Sequence, residues 1–290
     1  MKVLFIGATG LMGSHTIPFL MNKVELTLAA NTGVEVAGLP VTKIDITDWE
    51  ETESVVAAGD ANGNKFDAIV YCATANIREN DHHTDEGKRL YYENCIEVNV
   101  RGAYHVFEAA RRAGIDRAVH IGSNASMMGT PRIPQIGKEV LNQARDLYAA
   151  TKIFGEQVGR SYAYRQYDWL PDTNRVYESM QVICLRLGQP FFSEEQWLGS
   201  RHWRTSQPMY VGDTARAIEC ALQAPVRFGI YPIISAVDNG WILPEATEEL
   251  GYTPGWKFTA ENTLIKIADD LPPVKEPDED KKIKVLLTQK

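Results

Sequence analysis

Lys2-Val3-Leu4-Phe5-Ile6-Gly7-Ala8-Thr9-Gly10-Leu11-Met12-Gly13 decides the fold. A short apolar run passes directly into glycines at i, i+3 and i+6, and then into a helical period carried by Ile17, Phe19 and Leu20. A strand that enters a helix in this way points the helix's unpaired N–H groups and positive dipole end at the loop, where a pyrophosphate is bound. Gly7 permits the tight turn, Gly10 lets backbone approach the phosphates, and Gly13 lets the helix pack closely on the sheet. Thr9, Leu11 and Met12 complete this candidate cofactor loop.

Outward from the loop, strands are expected near 2–6, 24–29, 41–43, 67–72, 117–122 and 181–187. Helical patterns near 11–22, 48–58, 90–113 and 144–167 separate them. Such alternation predicts an α/β chain with a doubly wound parallel sheet, the Rossmann fold. The expected division is a nucleotide-binding domain over 1–188, a small substrate lobe over 189–271 interleaved with it, and a charged, proline-rich, mobile tail over 272–290. In the lobe, a helix near 213–223, a strand near 230–235 and a short helix near 243–250 follow an aromatic stretch with Phe191, Phe192, Trp197 and Trp203.

Tyr148 and Lys152 are the chemical counterpart of the glycine loop, because residues at i and i+4 of a helix share a face and an ammonium beside a phenol favours the phenolate. A free tyrosine, with a pKa of about 10, is a poor base at neutral pH. Taken alone, the pair is also an ordinary exposed helical contact; its weight comes from the ordered pattern around it.

That pattern is Gly7-x-x-Gly10-x-x-Gly13, Asp45-Ile46, Asn99 within Glu97-Val98-Asn99-Val100-Arg101-Gly102, Ser123 after a strand, and Tyr148-x-x-x-Lys152. It continues through Leu185-Arg186-Leu187-Gly188, Tyr210-Val211-Gly212-Asp213-Thr214-Ala215, and Leu250-Gly251-Tyr252-Thr253-Pro254. Together these resemble an extended short-chain dehydrogenase/reductase, of the NAD-dependent epimerase/dehydratase type, over nearly the whole chain. The resemblance implies a catalytic Ser123, Tyr148 and Lys152. It implies that Asp45 and Ile46 read the adenine, that Cys72, Ala73 and Thr74 form the small-residue turn beside the cofactor, and that Asn76 faces the substrate. Asn99 would steady water between backbone and Lys152. Asp45 also reads simply as a residue of a loop ending in a helix cap, and Asn99 as a helix-surface asparagine.

The cofactor is NAD, with NADP as the alternative. The acidic residue that holds a ribose 2′-hydroxyl is missing after the second strand, which ends Ala29-Ala30-Asn31-Thr32, while no arginine precedes Arg78 and Lys23 and Lys43 are the nearby cations. Asn31 remains able to bond a hydroxyl.

Ser123-Asn124 directly after a strand resembles the uronate dehydrogenases, in which both residues hold the sugar. Ser123 then bonds the reacting oxygen and Asn124 orients the ring, with Asn124 or Ser126 as rivals for the hydroxyl position. Ala125 departs from the histidine usual in that subgroup. Arg186 is expected to grip a uronate carboxylate through two charge-assisted bonds, or to serve as a general structural arginine. The implied substrate is a small sugar or sugar acid, oxidised to a lactone as Tyr148 takes the hydroxyl proton and hydride passes to the nicotinamide. An epimerase or dehydratase acting on nucleotide sugars would use the same residues, and a non-catalytic cofactor sensor would keep the fold without turnover.

A net charge of -8 over 290 residues offers no nucleic-acid face, and no apolar stretch approaches the ~20 residues of a membrane span. Cys72, Cys95, Cys184 and Cys220 lack metal-ligand spacing and read as free thiols in a reducing, cytoplasmic compartment. His82-His83 reads as a solvated loop, so no metal is assigned. Long helices near 90–113 and 144–167 commonly pair between subunits in the family, and the aromatic stretch Tyr162 to Pro171 suits an interface, so a homodimer is expected.

Overall fold

The computed structural model describes residues 1–75, 83–129, 137, 142–164, 180–192, 207–238, 240, 242–259 and 263–268. Seven parallel strands form one sheet in the order β3-β2-β1-β4-β5-β6-β9. They are β1 (Lys2–Ile6), β2 (Glu25–Ala30), β3 (Val41–Lys43), β4 (Ala68–Tyr71), β5 (Arg117–Ser123), β6 (Gln181–Leu187) and β9 (Phe228–Ile233). The order reverses between β1 and β4, which opens a crevice at the carboxyl ends of the strands.

Both sheet faces are buried, so the strands read as continuous apolar runs with alternating destinations. Val3, Phe5, Val70, Val119, Ile121, Ile183 and Leu185 face one core, shared with α1 (Leu11–Leu20) and α6 (Val211–Gln223). Leu4, Ile6, Ile69, Tyr71, Ala118, Val182 and Cys184 face the other, which α4 (Gly102–Arg112) and α5 (Leu147–Ala163) cover. Helix α2 (Trp49–Ala58) completes that layer; Asp48 caps it by accepting from the Glu51 amide, with Glu50 and Glu51 in the first turn, as the dipole favours.

The helical pattern expected over 90–113 resolves into three pieces: α3 (Asp85–Cys95), a π-helical segment (Ile96–Arg101) and α4. The expected helix over 144–167 is α5, and residues 165–167 lie outside the described residues. Past Gly188, the helix and strand placed in the lobe belong to the main sheet instead: β9 pairs with β6 in parallel register, and α6 packs beside α1. A short apolar strand carries no sign of which sheet it will join, so composition could not decide this. The helix expected over 243–250 is only a 3-10 turn, Pro244–Ala246. Beyond the sheet stand a parallel pair, β7 (Gln189–Phe191) with β8 (Pro208–Tyr210), and a small sheet of β10 (Ala236–Val237), β11 (Trp256–Phe258) and β12 (Leu264–Lys266). Trp197, Trp203 and the tail over 272–290 lie outside the described residues.

Asp213, fully buried in the first turn of α6, joins these parts. It accepts from Ser235 Oγ at 2.5 Å and from the Gly255 amide at 2.6 Å. Burial pushes its carboxyl up to about 7, against the lowering effect of the Ser235 and backbone donors. A carboxyl that holds its proton in the fold above its unfolded value binds more protons when native, so stability falls as pH rises between about 4 and that value. We predict that Asp213→Asn flattens this limb of a plot of Tm against pH; an unchanged slope would place the titration elsewhere.

Candidate active site

The site gathers where β1, β4, β5 and α5 meet. At the glycine loop, Gly7 takes a φ of 94°, and a β-carbon there would stand 2.5 Å from the Ala73 amide nitrogen. One on Gly13 would stand 2.3 Å from the Gly7 carbonyl oxygen, so the close helix-sheet approach needs glycine. Gly10, exposed at the N-cap of α1, supplies no side-chain cap, and the first turn has no acidic residue. The helix end therefore keeps its N–H groups and dipole for an anion, and the cradle fits a dinucleotide pyrophosphate. Leu11 is exposed and Met12 half-buried in that first turn. Thr9 accepts a 2.8 Å hydrogen bond from Thr32 Oγ1, tying the loop to the segment after β2, where Asn31 is exposed.

Asp45 accepts from both the amide and the hydroxyl of Thr47, at 2.9 and 2.8 Å, in the manner of a loop cap. Ile46 is buried and its carbonyl lies 2.9 Å from His105 Nδ1. Cys72 is buried, with its thiol pushed up to about 12 by burial. Asn76 lies outside the described residues.

Asn99 is buried within the π-helical segment, so it is no surface residue. Its Oδ1 accepts from Thr74 Oγ1 at 3.1 Å and from the Ala75 amide at 3.3 Å, and its Nδ2 donates to Thr151 Oγ1 at 3.0 Å. Thr151 in turn donates to the Tyr148 carbonyl at 2.8 Å. The turn after β4 and the Tyr-Lys helix are thus held together through one amide.

The hydroxyls of Ser123 and Thr74 stand beside the Tyr148 phenol. It is partly exposed to solvent but otherwise crowded by protein, and burial raises its pKa, with the two hydroxyls opposing. Lys152 is buried; its Nζ donates to the carbonyls of Ile121 at 3.3 Å and Ala73 at 3.5 Å. Burial brings its ammonium down to about 8, while Cys72, Cys95 and Glu156 act to raise it. The lysine that was expected to lower the phenol is thus itself weakened by desolvation, and the phenol stays protonated at neutral pH.

Ser123 ends β5, and its Oγ also accepts from the Ala125 amide at 3.2 Å. Asn124 is buried with neither end of its amide hydrogen-bonded among the described residues. Ser126 lies fully buried, its hydroxyl 3.5 Å from the Ala149 carbonyl. Of the three rivals, Ser123 is the one that acts on the phenol.

Of the two readings of Arg186, its surroundings suit the general structural one. It is fully buried, and its Nε and Nη2 fork onto Glu156 at 2.7 and 2.6 Å, with Nη2 also donating to Asn142. The bidentate edge expected to take a substrate carboxylate already holds one of the protein's own. Glu156 was legible in principle: Tyr148, Lys152 and Glu156 stand at i, i+4 and i+8, one face of one helix. Asn142, reached across a loop, left no such signal, nor did His120, which stacks on Tyr71 with ring centroids 5.4 Å apart. Burial, then the Lys152 charge, drive His120 down to about 3, so it is neutral.

The family's sequence profile, the NAD dependent epimerase/dehydratase family, matches residues 3–191. The chain belongs to this family. Its cofactor is NAD, whose pyrophosphate the glycine cradle fits. Residues of the chain are 34% identical over 185 positions to a uronate dehydrogenase of Agrobacterium fabrum, a match spanning 63% of this chain and 62% of that protein's length. An L-arabinose 1-dehydrogenase (NAD(P)(+)) of Haloferax volcanii is 23% identical over 87% of this chain and 96% of its own. A UDP-glucose 4-epimerase of Bacillus subtilis is 26% identical over 66% of this chain and 53% of its own. Among solved structures, a uronate dehydrogenase from Agrobacterium tumefaciens superposes with a TM-score of 0.68 at 24% identity, over 90% of this chain and 85% of that one, a likeness of fold. Among the described residues no helix is long and apolar enough to cross a membrane.

An unbonded buried amide costs ~1–3 kcal/mol, and replacing it with an apolar group of the same shape relieves that cost. Asn124→Leu should therefore leave the Tm of the ligand-free protein unchanged or raised. A fall of several degrees in a thermal melt would mean that the amide is already satisfied.

Proposed function

We propose that this chain is an NAD-dependent dehydrogenase that oxidises the anomeric hydroxyl of a sugar or sugar acid to a lactone. One observation carries the reading: the Ser123 hydroxyl stands beside the Tyr148 phenol while the adjacent Asn124 amide is buried and unbonded among the described residues. A substrate hydroxyl meeting the Ser123-Tyr148 pair would share a proton with the phenol, and the Asn124 amide has both a donor and an acceptor for a neighbouring ring oxygen or hydroxyl. Bound NAD supplies the two-electron acceptor.

Tyr148 exchanges the proton of the reacting hydroxyl, with Thr74 fixing the phenol from a second side. Because burial raises that phenol, oxidation should quicken as pH rises and the reverse reduction should be favoured nearer neutrality. Lys152 holds the two carbonyls that flank the site. Arg186 enters as a positioning residue: paired with Glu156 and donating to Asn142, it ties α5 and β6 to the segment starting at residue 142. The four cysteines, none in a disulfide among the described residues, fit a reducing, cytoplasmic setting.

The likeness to uronate and arabinose dehydrogenases supports a free sugar or sugar acid; the epimerase likeness supports the alternative, nucleotide-sugar epimerisation, with the same residues. The deciding assay follows absorbance of reduced nicotinamide with NAD and a panel of free uronates, aldoses and nucleotide sugars. Reduction with a free sugar or uronate is the expected result, and Tyr148→Phe should lower it by about a hundredfold or more while NAD still binds. Silence with every free sugar, together with isomer conversion of a nucleotide sugar, would overturn the dehydrogenase reading.

We also infer a homodimer through α4 and α5. Leu147 and Phe154, two turns apart on α5, are exposed, as is Tyr104 on α4. Large apolar side chains gathered on one face mark an interface. Phe154→Glu should convert a dimer to a monomer in sedimentation; a wild-type monomer would remove the assignment.

A further inference from the structure

The second strand ends without a carboxylate, and the edge strand places a cation beside it. In the β2–β3 register, Ala30 faces Lys43, and the Ile44 amide continues the pairing by donating to the Ala30 carbonyl at 2.8 Å. The intervening chain turns back through Val36 and Leu39, whose amides and carbonyls pair at 3.0 and 2.9 Å, so the register is fixed from both ends. Lys43 thus stands at the carboxyl edge of the sheet, next to the position that follows Ala30. It is exposed and enters no ion pair among the described residues.

Space and charge at this corner are open. Asn31, Thr32 and Gly33 are exposed, and a β-carbon on Gly33 would meet only the Val41 carbonyl, at 3.9 Å. The Thr32-Thr9 bond brings this segment to the phosphate loop. The nearest acidic side chain in sequence beyond Lys43, Asp45, is engaged by two donors of Thr47. A carboxylate after β2 would repel a 2′-phosphate, whereas a neutral amide with an ammonium one strand away attracts it.

We propose that Lys43 is a specificity-determining residue that lets this corner accept a 2′-phosphate as well as a 2′-hydroxyl, so that the chain uses NADP beside NAD. The proposal rests on the reading of the glycine loop as a dinucleotide site and is indifferent to the sugar. Calorimetric titration of the full chain with NAD, NADP and 2′,5′-ADP tests it without turnover. Wild type should bind NADP within about tenfold of NAD, and Lys43→Ala should weaken NADP and 2′,5′-ADP about fivefold relative to NAD, the scale of an exposed ion pair to phosphate. Lys43→Glu should weaken them further, and added salt should erode NADP binding more than NAD binding. Tight NAD binding with NADP more than about a hundredfold weaker, or equal loss of both in the Lys43 variants, would overturn the proposal alone. Failure of both dinucleotides to bind would overturn the cofactor reading with it.

Discussion

The candidate site depends on a single buried amide. Asn99 presents one acceptor to the turn after β4 and one donor to α5, and each is used: Thr74 and Ala75 on one side, Thr151 on the other. Aspartate would lose the donor and leucine both groups, leaving buried partners unpaired at ~1–3 kcal/mol each. The π-helical segment is part of the same device. Within it Asn99 is buried toward the turn while Arg101, two residues on, is exposed.

With turn and helix fixed, the electrostatics follow from burial. Lys152 exchanges water for two carbonyl oxygens, and desolvation outweighs what those dipoles return, which is why its ammonium is weakened. Glu156 stands one turn further along the same face, yet its charge is matched by Arg186 and leaves the lysine undersupplied. His120 stays neutral in the same low-dielectric surroundings. The influences that lower the phenol are accordingly neutral hydroxyls, Ser123 and Thr74.

The parts legible in the sequence were those whose signals are local. The glycine spacing at 7, 10 and 13 requires only one strand, one turn and one helix, and the alternating apolar runs placed all six early strands within a residue or two. The π segment was hidden because a helix with one extra residue still shows an apolar period over most of its length. Strands of two or three residues, such as β8 or β10, are shorter than any period, and their partners lie far along the chain. Tyr148, Lys152 and Ser123 were singled out through spacing and order. The pairing of Arg186 was not, because a guanidinium suits a ligand's carboxylate and a protein's equally, and only the three-dimensional neighbour decides between them.

The same reasoning explains how the later third of the chain is tied to the sheet. Helix α6 and β9 return to the main sheet, whereas β10 to β12 stand outside it, so the connection between them must be made by side chains. Asp213 makes it, taking donors from Ser235 after β9 and from the start of β11. The adjacent Tyr210 amide donates to Ser235 Oγ at 2.8 Å, and Tyr252 donates to the Ile234 carbonyl at 2.8 Å, so the aspartate sits within a polar network whose outer members are also paired. A network of this kind specifies one arrangement only when its members are satisfied. Its carboxyl accepts from Ser235 and Gly255, yet burial still raises its pKa. Trp256, fully buried against Gly212 at the start of α6, adds a steric lock, since a β-carbon on that glycine would stand 2.5 Å from the indole ring. Polar specificity and apolar fit therefore act on the same junction, and the small sheet takes its position from α6.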